Sequence, residues 1–208
     1  MYIPTPDELG SFNLAKVRSF IDYWSSFYSD NWEESHYFDQ LNLGRDLTDE
    51  NVRKLLSWKS RRFLAGRSDG KENPHVAKVL RNLDSLNRFR RGEITEGEMR
   101  AIVGTIYPEG FVWNVFLLHI AKPQVCPIVD RNVLQSWAAH THGRNNLDWK
   151  VYAAYSNYFA TIAEALGIPR TTDEVRELKR IDNALFEYGR FLESHLEKAE
   201  AAAASNHS

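Results

Sequence analysis

The sequence predicts an all-α fold of eight or nine helices, formed by a chain of 208 residues. Apolar residues recur three and four positions apart through most of the chain, which is the spacing that gives a helix one buried face. Residues that favour a helix start precede several of these segments. No stretch alternates apolar and polar residues as a half-buried strand does. The sequence therefore favours helices packed on helices, without a sheet.

Four helices are predicted in the first half of the chain. The first has a periodic apolar face, the second opens at the cap-like residue Thr48, and the fourth opens at Thr95. The third has Pro74 in its first turn and ends before Gly92, the usual places for proline and glycine at helix ends. The four segments are 12–27, 47–63, 73–91 and 95–108.

Four further helices are predicted in the second half, and Gly167 with Pro169 separates the last two. These segments are 110–122, 129–137, 147–167 and 171–200. The polar, glycine-containing stretch 65–74 is the predicted loop. We expect one all-α domain over residues 1–200 and a flexible, low-complexity tail over 201–208.

Composition argues against several classes of protein. No apolar run reaches the roughly 18 residues that suggest a membrane span. The first ten residues, MYIPTPDELG, lack the basic start and apolar core of a signal peptide. Because Cys126 is the sole cysteine, neither an intramolecular disulfide nor a cluster held by four cysteines is possible. A cytoplasmic protein without a membrane partner is expected.

The net charge is −2, but the charged residues are distributed unevenly along the chain. Residues 1–50 carry ten acids and three bases, a balance of −7. Residues 51–100 carry thirteen bases and six acids, a balance of +7. A basic quarter of this kind suits a polyanion such as a nucleic acid, although ordinary solvated helix faces give the same count.

Asp130 stands where an apolar helix and a proline-containing break give way to a new helix. Aspartate is among the best helix N-cap residues, so a purely structural cap is one interpretation of Asp130. A carboxylate at a helix start, behind the apolar flank Pro127–Val129, can also serve chemistry, because the helix dipole favours its ionised form and the flank restricts its movement.

The residues from Gly110 to Val133 read G-x-x-x-N-x-x-L-L-x-x-A-x-P-x-x-x-P-I-V-D-x-x-V. This pattern resembles the signature of the helix-hairpin-helix DNA glycosylase superfamily, in which a hairpin glycine precedes an apolar helix and V-D-x-x-V opens the next one. The likeness covers residues 95–140, the hairpin and catalytic-aspartate region. The positions in register are Gly110, Leu118, Ala121, Val129, Asp130 and Val133.

The resemblance implies a two-lobed helical fold that hydrolyses the N-glycosidic bond of a flipped base, with Asp130 as the catalytic carboxylate. It implies double-stranded DNA as partner, a monomer, and neither metal, iron–sulfur cluster nor other cofactor. The turn IYPEG departs from the family hairpin, and its Glu109 would repel the phosphate that the backbone near Gly110 would hold. Val112 replaces the lysine of bifunctional members, which implies hydrolysis by water alone.

Basic side chains supply further candidate DNA contacts. Lys59, Arg61 and Arg62 lie beside Trp58, and Arg131 follows Asp130 directly. A second basic cluster, RFRRG at residues 88–92, ends a predicted helix, where its charges also complement the helix dipole.

Histidines and the cysteine are weaker candidates. His140 and His142 are two residues apart, so they point in different directions on a helix and predict no metal site. His119 lies on an apolar helix and is expected to be a hydrogen-bonded core residue. Cys126 has no evident base to activate its thiol. Tyr188 is expected in the core, with a base pocket as the alternative.

Two rival functions remain open on the sequence. One is a DNA-binding module that keeps the fold without catalysis. The other is a helical protein-interaction domain whose acidic first quarter meets a basic partner.

Overall fold

Helices account for nearly all regular structure in the parts of the chain that the computed structural model describes, residues 14–28, 32–60, 73–141 and 147–205. These ranges contain ten helices and no strand, so the all-α prediction is confirmed. The helices are α1 (Leu14–Ser25), α2 (Trp32–Leu41), α3 (Asp49–Lys59), α4 (Pro74–Arg81), α5 (Leu83–Arg91), α6 (Glu96–Ile106), α7 (Phe111–Ala121), α8 (Arg131–Thr141), α9 (Trp149–Ala165) and α10 (Val175–Ser205).

Two features raise the helix number above the predicted eight or nine. Helix α2 has the acidic, weakly periodic sequence WEESHYFDQL and lies between the first two predicted segments, where no helix is predicted. The segment predicted as one helix over 73–91 is broken at Asn82, whose φ and ψ are −106° and 15°. Its side-chain amide donates to the carbonyl of Lys78 at 2.9 Å, so the side chain competes with the backbone for a helical acceptor.

The predicted caps are present. The hydroxyls of Thr48 and Thr95 accept from backbone N–H groups three residues on, each in a reciprocal capping box. Asn73 caps the helix that begins with Pro74. Gly92 ends α5 with a φ of 81°, a left-handed conformation that suits glycine. Of the predicted tail 201–208, residues 201–205 belong to α10.

The chain divides into two compact units. The discontinuous unit comprises residues 1–29 and 127–208, and the continuous unit comprises residues 30–126. In the discontinuous unit, α10 packs along α8 and α1. Its buried core includes Phe20, Trp24, Val133, Tyr155, Ile181 and Leu185.

Helix α7 forms the centre of the continuous unit. Its residues from Asn114 to Ala121 are all buried, and it packs against α5 and α6. A helix that is apolar on every side needs neighbours on every side, which explains its place inside the unit. None of the described helices is both long and apolar enough to cross a membrane.

Candidate functional site

Asp130 caps α8, as its position in the sequence predicts. Its Oδ1 accepts a hydrogen bond from the backbone N–H of Val133 at 3.0 Å, and its carbonyl accepts from Leu134 at 3.0 Å. The side chain is partly exposed, whereas the preceding Ile128 and Val129 are only 3% and 1% exposed. Asp130 therefore follows three buried apolar residues and is itself only partly buried.

Helix α9 forms a hydrogen bond to the backbone that precedes this cap. The hydroxyl of Tyr152 donates to the carbonyl of Pro127 at 3.2 Å. Tyr152 is itself 1% exposed, so this hydrogen bond ties the segment before Asp130 to the core of the discontinuous unit. Together with the restricted backbone of proline and valine, the bond limits how far Asp130 can move.

Helix α10 touches the first turn of α8 through a glycine. A Cβ atom on Gly189 would lie 1.9 Å from the carbonyl oxygen and 2.5 Å from the carbonyl carbon of Asn132. No side chain fits there, so the two backbones are in direct contact two residues after Asp130. One turn further along α10, Glu193 forms an ion pair with Arg131 at 2.7 Å. The backbone contact thus sets the position of the helix start that carries the carboxylate.

A buried polar cluster on α9 and α10 belongs to the same unit. Lys179 Nζ donates to Asp182 Oδ2 and to Asn183 Oδ1, both at 2.5 Å, and all three residues are less than 10% exposed. Burial raises the pKa of the Tyr155 hydroxyl well above its usual value, and the negative charges of Asp182 and Asp130 raise it further.

Gly189 and this cluster were not predicted from the sequence, although signals for both exist. Gly189 lies in the middle of the longest helix, where glycine costs stability and so suggests a packing reason. Lys179, Asp182 and Asn183 share one helical face, and they lie between the apolar positions Leu178, Ile181 and Leu185.

The region of the predicted hairpin is a tight connection between α6 and α7. Gly110 donates its N–H to the carbonyl of Tyr107 at 3.1 Å, and the Asn114 amide donates to the same carbonyl at 3.0 Å. A Cβ on Gly110 would lie 3.0 Å from the Tyr107 Cβ, so close approach favours glycine here. Glu109 is exposed on the turn, and Val112 is partly buried in the first turn of α7.

The basic residues that were predicted to contact DNA differ in how exposed their side chains are and in whether the structure describes them. Lys59 is partly exposed, with its ammonium 5.8 Å from the centre of the Phe116 ring. Arg61 and Arg62 lie outside the described residues. Arg131 has a side chain that is 82% exposed, although it pairs with Glu193.

The second basic cluster is largely occupied within the continuous unit. Arg90 donates to three carbonyls, those of Leu41, Asn42 and Ile120, at 2.6, 2.8 and 3.1 Å. Burial lowers the pKa of its guanidinium. Arg91 pairs with Asp46 and Glu93, each at 2.6 Å. The donors of these two arginines are therefore engaged within the continuous unit.

His119 is the hydrogen-bonded core residue that the sequence predicts. Its Nε2 bonds to the Tyr37 hydroxyl, and its Nδ1 lies 2.7 Å from the carbonyl of Cys126. Since a carbonyl only accepts, Nδ1 carries the proton and Tyr37 donates to Nε2. Cys126 is 1% exposed, so its thiol is shielded.

The other histidines and Tyr188 add no site. The side chain of His140 and the whole of His142 lie outside the described residues, among which no group of three or more metal-ligating side chains occurs. Tyr188 is 6% exposed and packs edge-on against Phe20 and Trp24, which agrees with a core role.

Comparison with known proteins finds no matching family model, no matching curated protein and no matching solved structure.

Proposed function

We propose that the protein is a DNA base-excision glycosylase that hydrolyses the N-glycosidic bond of a flipped damaged or modified base. The observation that carries the proposal is the setting of Asp130. Its carboxylate is partly exposed, anchored by Val133 at 3.0 Å, and preceded by buried apolar residues. The register with the glycosylase pattern from Gly110 to Val133 adds to this support.

The chemistry needs one well-placed carboxylate. Cleavage of an N-glycosidic bond passes through a sugar cation that resembles an oxocarbenium ion. A fixed carboxylate stabilises that cation and orients or deprotonates the attacking water. The N-terminus of α8 favours the ionised form of Asp130, since the helix dipole is positive there.

DNA contacts are proposed at Gly110, Lys59, Arg61, Arg62 and Arg131. Because the Gly110 N–H already donates to the Tyr107 carbonyl, a phosphate near Gly110 would be held by other backbone N–H groups of the turn, against the repulsion of Glu109. The cations would contact the DNA backbone without reading sequence. Because Arg90 and Arg91 already bind carbonyls and carboxylates of the protein, the second basic cluster is a poorer candidate.

The proposed reaction uses water as nucleophile. Valine at position 112 has no amine to form a Schiff base, and the Lys122 ammonium lies 4.6 Å from the centre of the Phe89 ring in the continuous unit. The expected product is an intact strand with an abasic site.

Base release from a panel of damaged and modified duplexes tests the proposal. Wild-type protein should release a base from at least one duplex and give no covalent adduct on borohydride trapping. Release from none of them, with DNA binding intact, would instead favour the non-catalytic DNA-binding module. That rival has its own support, since the cap hydrogen bond of Asp130 is a complete structural role. A trapped adduct that disappears in Lys122→Ala would show that a lysine supplies the nucleophile.

A further inference from the structure

A cavity of about 350 Å³ lies in the discontinuous unit, between α1, the turn that follows α9, and the first turns of α10. This volume is at the small end of the range for small-molecule sites, so it suits a ligand the size of a single small metabolite. Both apolar and charged side chains line the cavity. The mixture indicates a ligand that has an apolar body as well as charged groups.

The apolar wall of the cavity consists of Ile21, Leu166 and Ile168. Ile21 is 3% exposed and belongs to the core, whereas Leu166 and Ile168 are partly exposed. The turn that carries the last two has a defined geometry, because the Ile168 N–H donates to the Ala163 carbonyl at 2.9 Å and Gly167 adopts a left-handed φ of 70°. The wall therefore offers apolar surface that a ligand can cover, which favours binding.

The charged side chains around the cavity balance one another: Arg18, Arg180, Asp22 and Glu177. The Arg180 guanidinium pairs with Asp22 on α1 at 2.7 Å and with Glu177 at 2.9 Å. Each carboxylate makes this contact through one oxygen, Asp22 Oδ1 or Glu177 Oε2. Each therefore has a second oxygen that can accept a hydrogen bond from a ligand.

Arg18 is the second cation of the cavity, and its side chain is exposed. Asp22 lies four residues further along α1, a spacing at which charged side chains meet, yet it pairs with Arg180 instead. No described residue forms an ion pair or a hydrogen bond with the Arg18 guanidinium, which can thus bind a carboxylate through two donors. A purely anionic ligand would also face two carboxylates, and a purely cationic ligand would face two arginines. A ligand with one charge of each sign meets a partner for both.

We propose that this cavity binds a free α-amino acid with an apolar side chain. The ligand carboxylate contacts Arg18, its ammonium contacts the second oxygens of Asp22 and Glu177, and its side chain lies on the apolar wall. A free amino acid carries both charges at neutral pH, and its size suits the cavity. The cavity shares no residue with the proposed glycosylase site, so each proposal can be tested without the other.

NMR titration of the isotope-labelled wild-type protein with leucine and two analogues tests the ligand class. Isocaproate lacks the ammonium of leucine, and isoamylamine lacks its carboxylate. Leucine should shift the amide signals of Gly167 and Ile168 saturably, with a Kd of about 1 mM or below. Each analogue should bind at least about tenfold more weakly, because it loses one charged contact. The absence of a saturable shift with leucine, or equal binding of either analogue, would overturn the proposal.

Two substitutions test the role of Arg18 in the same titration. Arg18→Gln should weaken leucine binding at least about tenfold, since it removes the partner of the ligand carboxylate. Lys150→Gln is the matched control, because it removes an exposed cation on α9 that does not line the cavity. Both side chains are exposed, so neither change should disturb the core. The control should bind leucine as the wild type does, and equal binding by the two variants would contradict the assigned site.

Discussion

Asp130 and Asp148 form the same local structure at the starts of two consecutive helices. Asp130 Oδ1 accepts from the N–H of Val133 at 3.0 Å, and Asp148 Oδ1 accepts from the N–H of Val151 at 2.7 Å. The hydrogen bonds within the first helical turn are therefore the same for both residues and give no reason to assign them different functions. Any functional difference between them must come from what surrounds each cap.

The surroundings differ in burial and contact. Asp148 is exposed and follows the partly exposed Leu147, whereas Asp130 is partly exposed and follows three buried residues. The first turn after Asp130 also meets α10 at Gly189, where no side chain fits. The comparison teaches that a helix cap becomes a candidate site when the tertiary structure fixes it against an apolar environment.

Replacing each aspartate by asparagine should give the largest contrast. Asparagine also caps helices well, so both variants should fold. On a duplex that the wild-type protein cleaves, Asp130→Asn should lower base release by at least about 100-fold, because the role proposed for the carboxylate is general acid–base catalysis. Asp148→Asn should retain wild-type turnover. Equal turnover in both variants would make Asp130 a structural cap only.

Adding a methyl group at Gly189 should test the contact that positions Asp130. The alanine Cβ would overlap the Asn132 carbonyl, so we expect Gly189→Ala to lower the free energy of unfolding by about 1–3 kcal/mol or more. Urea denaturation provides the measurement. The matched control is Gly104→Ala in α6, where a Cβ would meet nothing within 4 Å. Helix propensity should make this control more stable by about 0.5–1 kcal/mol. Equal stability changes would show that α10 does not constrain α8 there.

Alanine substitution measures the cap itself. Asp130→Ala and Asp148→Ala should each lower the free energy of unfolding by about 0.5–2 kcal/mol, since each removes the acceptor for one backbone N–H. A gain in stability for Asp130→Ala would mean that the site is strained by its carboxylate, which the local hydrogen bonds do not predict.

The cations after the two caps should give the smallest contrast. Arg131 follows Asp130 directly, and Lys150 lies two residues after Asp148, with both side chains exposed. We expect Arg131→Gln to reduce the slope of the log of the DNA-binding constant against the log of salt concentration by about one. Lys150→Gln should leave this slope unchanged. Binding titrations at several salt concentrations measure both slopes. The reverse result would move the proposed interface from α8 to α9.

Helix starts were predictable because their signals are local. Thr48, Thr95 and Asp130 each bond to a backbone N–H three residues on, and sequence spacing alone identifies such partners. The break at Asn82 was missed, because asparagine is tolerated inside helices and only its bond to Lys78 shows the competition. His119 could be placed in the core, whereas its partner Tyr37, 82 residues away, could not be identified.

The sequence by itself determined the all-α class, most helix ends and the cap at Asp130, since these follow from periodicity and from contacts within one turn. Tertiary structure decided which caps are fixed and which charges are available. The contact of Gly189 with Asn132 joins residues 57 positions apart, as their numbers give. The carbonyls that occupy Arg90 lie up to 49 positions away. Such pairs depend on how helices cross, and side-chain packing across a crossing has no signature in the spacing of either helix alone.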